Sequence, residues 1–463
     1  MNAQSIPPTP GRVWQIPSED KARHSLIKVP EPRVTINPDH TYTLAELVDL
    51  AETHNPETRV AWEDAKIQAA ELGIARSALY PSLAAAALAI TTRQGILFGT
   101  TFVRQTVGLY QAQFEVNYLV FDFGSRASQI ELSRTNLLGA NFTFNETHLR
   151  VIYQTTAAFY RLLNAEGQQV AARAALTNSQ TVQQAVEERL ANGLATLPDA
   201  LEARSSTAQS EYDLQNAIGA EEIARGDLLT GITAPPSSAI KVQPIDAMAV
   251  PDTLSEPLEK VMDRALEQRP DLLSRVAQLR GAEAEIRGAR AAFFPTFSLR
   301  GQAGEIRAYG QQDVLPSTYA GPIEEWNAQL SINWTLFDGG QRRNALARAR
   351  ADRRRAEDDL NLLRDEIADQ VWTSYSDTKT ALRRRQAAAA LLVASNESYN
   401  ASLEAYRYGV RSLLDVVAAQ RTLAQARAAD VSARAQVLAQ FATLAFRTAD
   451  LLHTRPPSTP GVP

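Results

Sequence analysis

The chain has 463 residues, with 47 basic against 52 acidic side chains, a near balance that excludes the strong positive field used in non-specific nucleic-acid binding. It contains no cysteine, which removes disulfides, thiolate catalysis, cysteine-ligated zinc and an acylated cysteine in this chain. No apolar run reaches the ~20 residues that a membrane-spanning helix needs, and the stretch from Met1 to Pro10 lacks the apolar core of a signal peptide.

Residues 1–42 are proline-rich and aperiodic, and read as an extended arm. A first repeat then occupies 43–232. Thr43-Leu-Ala-Glu46 has the capping-box pattern and opens a helix running to Tyr80, kinked at Asn55-Pro56. After Pro81 the period changes to two. Ala112, Phe114, Val116, Tyr118 and Val120 alternate with Gln111, Gln113, Glu115, Asn117 and Leu119, which predicts a β-hairpin over 82–121. Two strands of ~10 residues fit that span, with Gly95 and Gly99 in the loop between them. Phe121-Asp-Phe-Gly124 then turns the chain into a helix from Ser125 to about Asn192, whose length would be ~100 Å. That helix reverses through a turn at 193–199 into a shorter one. Proline and small residues over 233–256 predict a linker.

A second repeat, 257–452, follows the same plan. A helix from about Pro257 kinks at Arg269-Pro270, and a hairpin covers 296–337 with Trp326, Ala328, Leu330, Ile332, Trp334 and Leu336 on one face. Phe337-Asp-Gly-Gly340 leads into a helix from Gln341 to about Tyr408, a turn at 409–415 and a final helix. Residues 453–463 read as a disordered tail. The stretch from Asn117 to Arg126 recurs as Asn333 to Arg342, 216 residues on, and the two helix prolines lie 25 residues apart in both copies. Heptad spacing of Ile130, Leu137, Phe144 and Val151, and of Val417, Ala424, Val431 and Leu438, predicts coiled-coil-like packing of antiparallel helices.

The helix-reversal turns hold the most informative polar residues. Gly193 and Gly409 end one helix, Thr196 and Ser412 cap the next, and Asp199 and Asp415 complete capping boxes. Capping leaves Tyr406 and Arg411 unexplained, and either could reach a carboxylate on a neighbouring turn. The arginine runs at 342–355 and 383–385 are interleaved with acids and lack stacking aromatics, so they read as a solvated, ion-paired helix face and not as a nucleic-acid site. His24, His40, His54, His148 and His453 show no metal spacing, and neither a phosphate loop nor a nucleophile elbow is present. No enzyme, metal or cofactor is expected.

Strands with one apolar face need a protein core or lipid. Extended helices offer no compact cover, and Trp326 and Trp334 suit a membrane interface. A sheet in lipid must close, and four strands cannot close a barrel whose smallest form has ~8. The barrel must be shared between chains, which makes a pore.

These residues resemble the TolC family of outer-membrane efflux proteins over about 43–452: the duplication, the Phe-Asp-x-Gly junctions and the Tyr406-x-x-Gly409-x-Arg411-x-x-x-Asp415 turn carry the likeness. The resemblance implies a mainly α protein with a transmembrane β-barrel, a homotrimer whose twelve-stranded barrel continues into a periplasmic barrel of helices. It implies an exit duct for efflux or type I secretion in the outer membrane of a Gram-negative bacterium. Its partners would be a periplasmic adaptor protein, an inner-membrane pump and outer-membrane lipid, with no nucleic acid. By the same resemblance Tyr406 and Arg411 hold the periplasmic tip shut with Asp199 as acidic partner, while Asp415 and Glu202 constrict the entrance and favour cations. The chain departs from the family pattern at Ala418, where a second acid is usual, and at Pro198, where a hydroxyl is often found. The rival reading is a non-channel periplasmic coiled-coil scaffold or pump adaptor, whose small sheet would bury Trp326, Leu330 and Trp334 in a protein core.

Overall fold

The two copies of the repeat fold into the same series of elements, and their helices match residue for residue in length. In the computed structural model, which describes residues 34–312 and 315–452, a two-residue strand β1 (Thr41–Tyr42) precedes helices α1 (Leu44–His54) and α2 (Pro56–Ser77). Strands β2 (Ser82–Phe98) and β3 (Thr101–Phe121) lead to α3 (Ser125–Ala191) and α4 (Leu197–Gly231). After β4 (Lys241–Val242) the second copy supplies α5 (Leu258–Gln268), α6 (Pro270–Ala291), β5 (Thr296–Gln312), β6 (Leu315–Asn333), α7 (Gln341–Arg407) and α8 (Leu413–Arg447). The long helices α3 and α7 each have 67 residues, and α4 and α8 each have 35. Residues 1–33 and the tail 453–463, read above as arm and tail, lie outside the described residues.

Local chemistry sets the breaks. Thr43 and Glu46 form a reciprocal capping box: the Thr43 N–H donates to Glu46 Oε2 at 2.8 Å and the Glu46 N–H to Thr43 Oγ1 at 3.3 Å. The helix expected to kink at Asn55-Pro56 breaks there into two, because Asn55 is extended and Pro56, lacking an N–H, starts a fresh helix where that loss costs nothing.

The chain divides into two units, and one of them comprises residues 59–147 and 259–371. It contains the four-stranded antiparallel sheet in the order β2-β3-β5-β6. The strands have 17, 21, 17 and 19 residues, well beyond the ten anticipated, and Gly95 sits inside β2 opposite Arg104 rather than in a loop. Alternation had marked only part of each strand; past it the strands continue with apolar side chains on both faces, as where Ile96 pairs with Val103 and Leu97 with Phe102. Register places Ala85, Phe114, Ala303 and Trp326 in one row across the sheet, with Tyr118, Leu299 and Leu330 four residues away on the same face. The opposite face carries Glu115, Gln302 and Asn327 in a row, and Asn117, Arg300 and Gln329 beside it. There the Gln111 amide donates to Gln113 at 2.6 Å, and Arg300 Nε donates to Asn117 Oδ1 at 2.9 Å. Among the described residues nothing covers the apolar face: Trp326, Leu330 and Trp334 are 78, 66 and 57% exposed, so the soluble-sheet reading loses its core.

Each strand-to-helix junction is an aspartate cap. Asp122 accepts from the Gly124 and Arg126 N–H groups (3.3 and 2.7 Å) and from Arg126 Nε (3.1 Å). Asp338 repeats this with Gly340, Arg342 N–H and Arg342 Nε at 3.0, 3.1 and 2.6 Å, and the Arg342 hydrogen bond holds its carboxyl below the usual range. The residue after the aspartate is left-handed in both copies, Phe123 at φ 53° and Gly339 at φ 65°.

The other unit contains the remaining lengths of the long helices, with α4, α8, α1 and the short strands. The stretch read as a linker is structured: β4 pairs in parallel with β1, Thr41 opposite Lys241, and Gln243 N–H donates to Tyr42 O at 3.0 Å. Around this pair Phe159, Leu162, Leu163, Leu47, Leu228 and Ile232 are fully buried. Farther along, α3 and α8 approach so closely at Gly167 that a Cβ there would come within 2.3 Å of Val431 Cγ1. No helix among the described residues is long and apolar enough to cross a membrane.

Candidate functional site

Both long helices end in the same way. Gly193 (φ 71°) and Gly409 (φ 74°) take the left-handed conformation that an L-residue with a Cβ adopts at a steric cost, and the chain closes with 6→1 hydrogen bonds, Leu194 N–H to Arg189 O and Val410 N–H to Ala405 O, both 2.8 Å. Three residues on, Thr196 and Ser412 cap α4 and α8. The Thr196 hydroxyl and N–H donate to Asp199 Oδ2 at 2.7 and 2.9 Å, and the Ser412 pair to Asp415 Oδ2 at 2.9 and 3.1 Å. These bonds from the capping side chain and backbone hold both carboxyls below the usual range. Thr196→Ala should cost about 1 kcal/mol, as a lost cap does, seen as a lower thermal unfolding midpoint; an unmoved midpoint would mean the turn contributes no stability.

Behind the turns lies a small apolar cluster that includes Val186, Ala200, Ala203, Leu413, Val416 and Tyr406. Tyr406 is buried, and burial pushes its phenol above the ordinary value; the Asp199 charge adds to that shift and Arg189 opposes it. Arg189 is the residue that ties the two turns together. From the last turn of α3 its Nη1 donates to the carbonyls of Tyr406 (3.2 Å) and Arg407 (3.3 Å) at the end of α7, and its guanidinium lies 4.8 Å from the Tyr406 ring centroid. A cation at a helix C-terminus also meets the negative end of the macrodipole. Sequence reasoning gave Arg189 no role. Its only local signal is a cation four residues before a helix-ending glycine, and its acceptors lie 217 and 218 residues away.

The expected pairing of Arg411 with Asp199 is absent within this chain. The Arg411 side chain is exposed and finds no hydrogen-bond or ion-pair partner among the described residues; its charge acts on Asp415, lowering that carboxyl further. Glu202, one turn into α4, is half-buried. Arg204 Nε donates to Glu187 at 2.8 Å nearby. Trp326 and Trp334 belong to the sheet unit, with the Trp334 indole N–H donating to Phe293 O at 3.1 Å. The turn cluster thus offers two carboxylates fixed by caps, one buried tyrosine held by Arg189, and one free guanidinium.

Comparison with known proteins gives a consistent result. The outer membrane efflux protein family matches the chain over residues 47–230 and 261–449. Protein CyaE of Bordetella pertussis is 25% identical, over 85% of this chain and 81% of its own. Outer membrane protein OprJ of Pseudomonas aeruginosa is 26% identical, over 82% of this chain and 78% of its own. Among solved structures, the Campylobacter jejuni CmeC outer membrane channel superposes with a TM-score of 0.75 at 18% identity, over 91% of this chain and 89% of that one, which establishes the fold.

Proposed function

This chain belongs to the outer membrane efflux protein family and is an outer-membrane efflux channel, and from that premise we propose that it works as a homotrimeric exit duct gated at the two helix-reversal turns. The open edges of the sheet, β2 and β6, support shared closure: three copies would supply twelve strands, within the range of membrane barrels. The apolar face would then meet lipid. From Phe297 to Glu305 at ~3.3 Å per residue the strand covers roughly 25 Å, the height of a barrel's apolar band. The amide-rich face would line the lumen. Exposed Val60, Trp62 and Ile67 on α2, and Trp372 and Val393 on α7, would be covered by neighbouring copies.

The observation that carries the gate reading is Arg411, exposed and free beside Asp415 while Tyr406, five residues before it, is locked by Arg189. In a ring of three copies the free guanidinium reaches for a carboxylate of the next chain, with Asp199 as the acid this reading assigns it. Breaking three such contacts would open the tip as an iris. Leu194, Leu197, Tyr408, Val410 and Leu414 crown the turns in full exposure and fit the apolar end of a periplasmic adaptor, which in turn would join an inner-membrane pump. No catalytic step is involved, and the work is done by the pump. Asp415 and Glu202 would set a cation preference at the entrance. Planar-bilayer recording in a salt gradient tests this: the wild type should be cation-selective, and Asp415→Ala should bring the reversal potential toward zero. An unmoved reversal potential removes Asp415 from the selectivity ring, and failure of the purified protein to conduct at all would end the duct reading.

A further inference from the structure

The sheet unit carries a second organised surface that the gate does not use. At the rim where the strands meet the helices, Phe121, Phe297 and Ile332 stand opposite one another on the apolar face. Phe123 packs edge-on against Phe121 (4.7 Å) and stacks on Phe294 (4.8 Å), and Trp334 hydrogen-bonds to Phe293 O. This continuous aromatic rim marks the depth at which hydrocarbon gives way to head groups.

The helices that arrive at or leave this rim carry exposed arginines next to it. Arg76 lies in the last turn of α2, Arg287 and Arg290 at the end of α6, and Arg343 in the first turn of α7. At 1.5 Å per residue all four sit within about two turns of the rim. The head-group layer is ~5–8 Å deep on each side of the hydrocarbon, so the four side chains, with their long reach, span that layer. Their state contrasts with the two arginines that hold the junctions: Arg126 and Arg342 are bound to Asp122 and Asp338, whereas none of the four guanidinium groups has an ion-pair or hydrogen-bond partner among the described residues. On α6, Glu283 shares a helix face with Arg287 and Arg290, and Glu285 lines a pocket with Leu119 and Thr296, but among the described residues neither acid forms an ion pair with the four arginines. Exposed aromatic surface beside unpaired planar cations is a match for a lipid phosphate, which guanidinium can bind bidentately.

We propose that Arg76, Arg287, Arg290 and Arg343 form a collar that binds the phosphate groups of anionic glycerophospholipids in the leaflet facing the helices. The proposal rests on the lipid-facing barrel read above. The collar fixes the depth of the barrel in the membrane and supplies a site for acidic lipid at the place where the strands end.

The test uses the full chain purified in detergent, supplied with either phosphatidylglycerol or phosphatidylcholine. Lipid retained per protein is counted by native mass spectrometry, and the unfolding midpoint is followed in parallel. The wild type should retain phosphatidylglycerol about tenfold over phosphatidylcholine, with a preference that weakens at high salt. The variant R76Q/R287Q/R290Q/R343Q should lose most of that preference while conducting in bilayers as the wild type does; R287Q/R290Q alone should lose part of it. Equal retention of the two lipids by the wild type, or an undiminished preference in the variants, overturns the collar. A midpoint shift reproduced by millimolar inorganic phosphate would show a soluble-anion site and overturn the lipid assignment. Absence of conductance in the wild type would instead strike the barrel reading itself.

Discussion

Arg189→Ala should open the tip. The wild-type guanidinium donates to two carbonyls at the end of α7 and lies over Tyr406, so its loss frees the turn at 193–199 from the turn at 409–415 within each copy. A hydrogen bond to a charged group is worth about 1.5–3 kcal/mol, and Arg189 leaves its buried Nε unsatisfied, which offsets part of the gain. A net ~2 kcal/mol per copy shifts a two-state equilibrium roughly 30-fold. Single-channel recording should show this as a large rise in open probability, with Arg189→Lys intermediate because an ammonium lacks the planar fork. Arg407→Ala is the control: among the described residues its guanidinium pairs with exposed Glu404, three residues away, and gating should not change. If Arg189→Ala gates like the wild type, closure does not run through this contact.

Glu166→Gln should raise thermal stability at pH 8 and leave it nearly unchanged at pH 5. Glu166 on α3 lies across the helical hairpin from Glu221 on α4. Burial first, then the Glu221 charge, pushes its carboxyl up to about 7, with Arg225 acting in the opposite sense. Glu221 is itself largely buried and paired with Arg225 at 3.4 Å. The sign follows from proton binding. Below about 4.5 both folded and unfolded chains hold the proton; between there and about 7 only the folded chain does, so stability falls as pH rises, and above 7 the loss is complete. For a half-buried side chain the loss is on the order of 2 kcal/mol after allowance for solvent. Glutamine keeps the shape without the charge. Unfolding midpoints of the two proteins that run parallel at both pH values would refute the assignment.

The duplication was legible because it is written in residues that cannot be exchanged freely: an aspartate that caps, a glycine after it, a proline that restarts a helix. Period two revealed the sheet wherever apolar and polar side chains alternate, as from Trp326 to Ile332. It failed in β2, where alanines on both faces erase the contrast, and in β3 before Tyr110, where Phe102 with Val103, and Leu109 with Tyr110, put apolar side chains on both faces. A two-residue strand such as β4 has too few positions to show a period. At the turns, capping could be read from the three-residue spacing of Thr196 with Asp199 and Ser412 with Asp415. The partner of Tyr406 could not, because the contact joins chain segments more than two hundred residues apart and both of its acceptors are main-chain carbonyls with no side-chain signature.

The junction after each aspartate shows how the two halves have parted since they were one. Both copies require a left-handed residue there, and Gly339 supplies it freely while Phe123 does so against a steric cost of about 1–2 kcal/mol. In return its ring meets two others, each such pair worth ~0.5–1.5 kcal/mol. A duplicated position that began as one solution has become two, one favouring backbone ease and the other side-chain contact. The halves are therefore no longer interchangeable. A chain built from two copies of the second half would keep the turns and helices but lose the aromatic ring at the first junction, where Phe123 now stands.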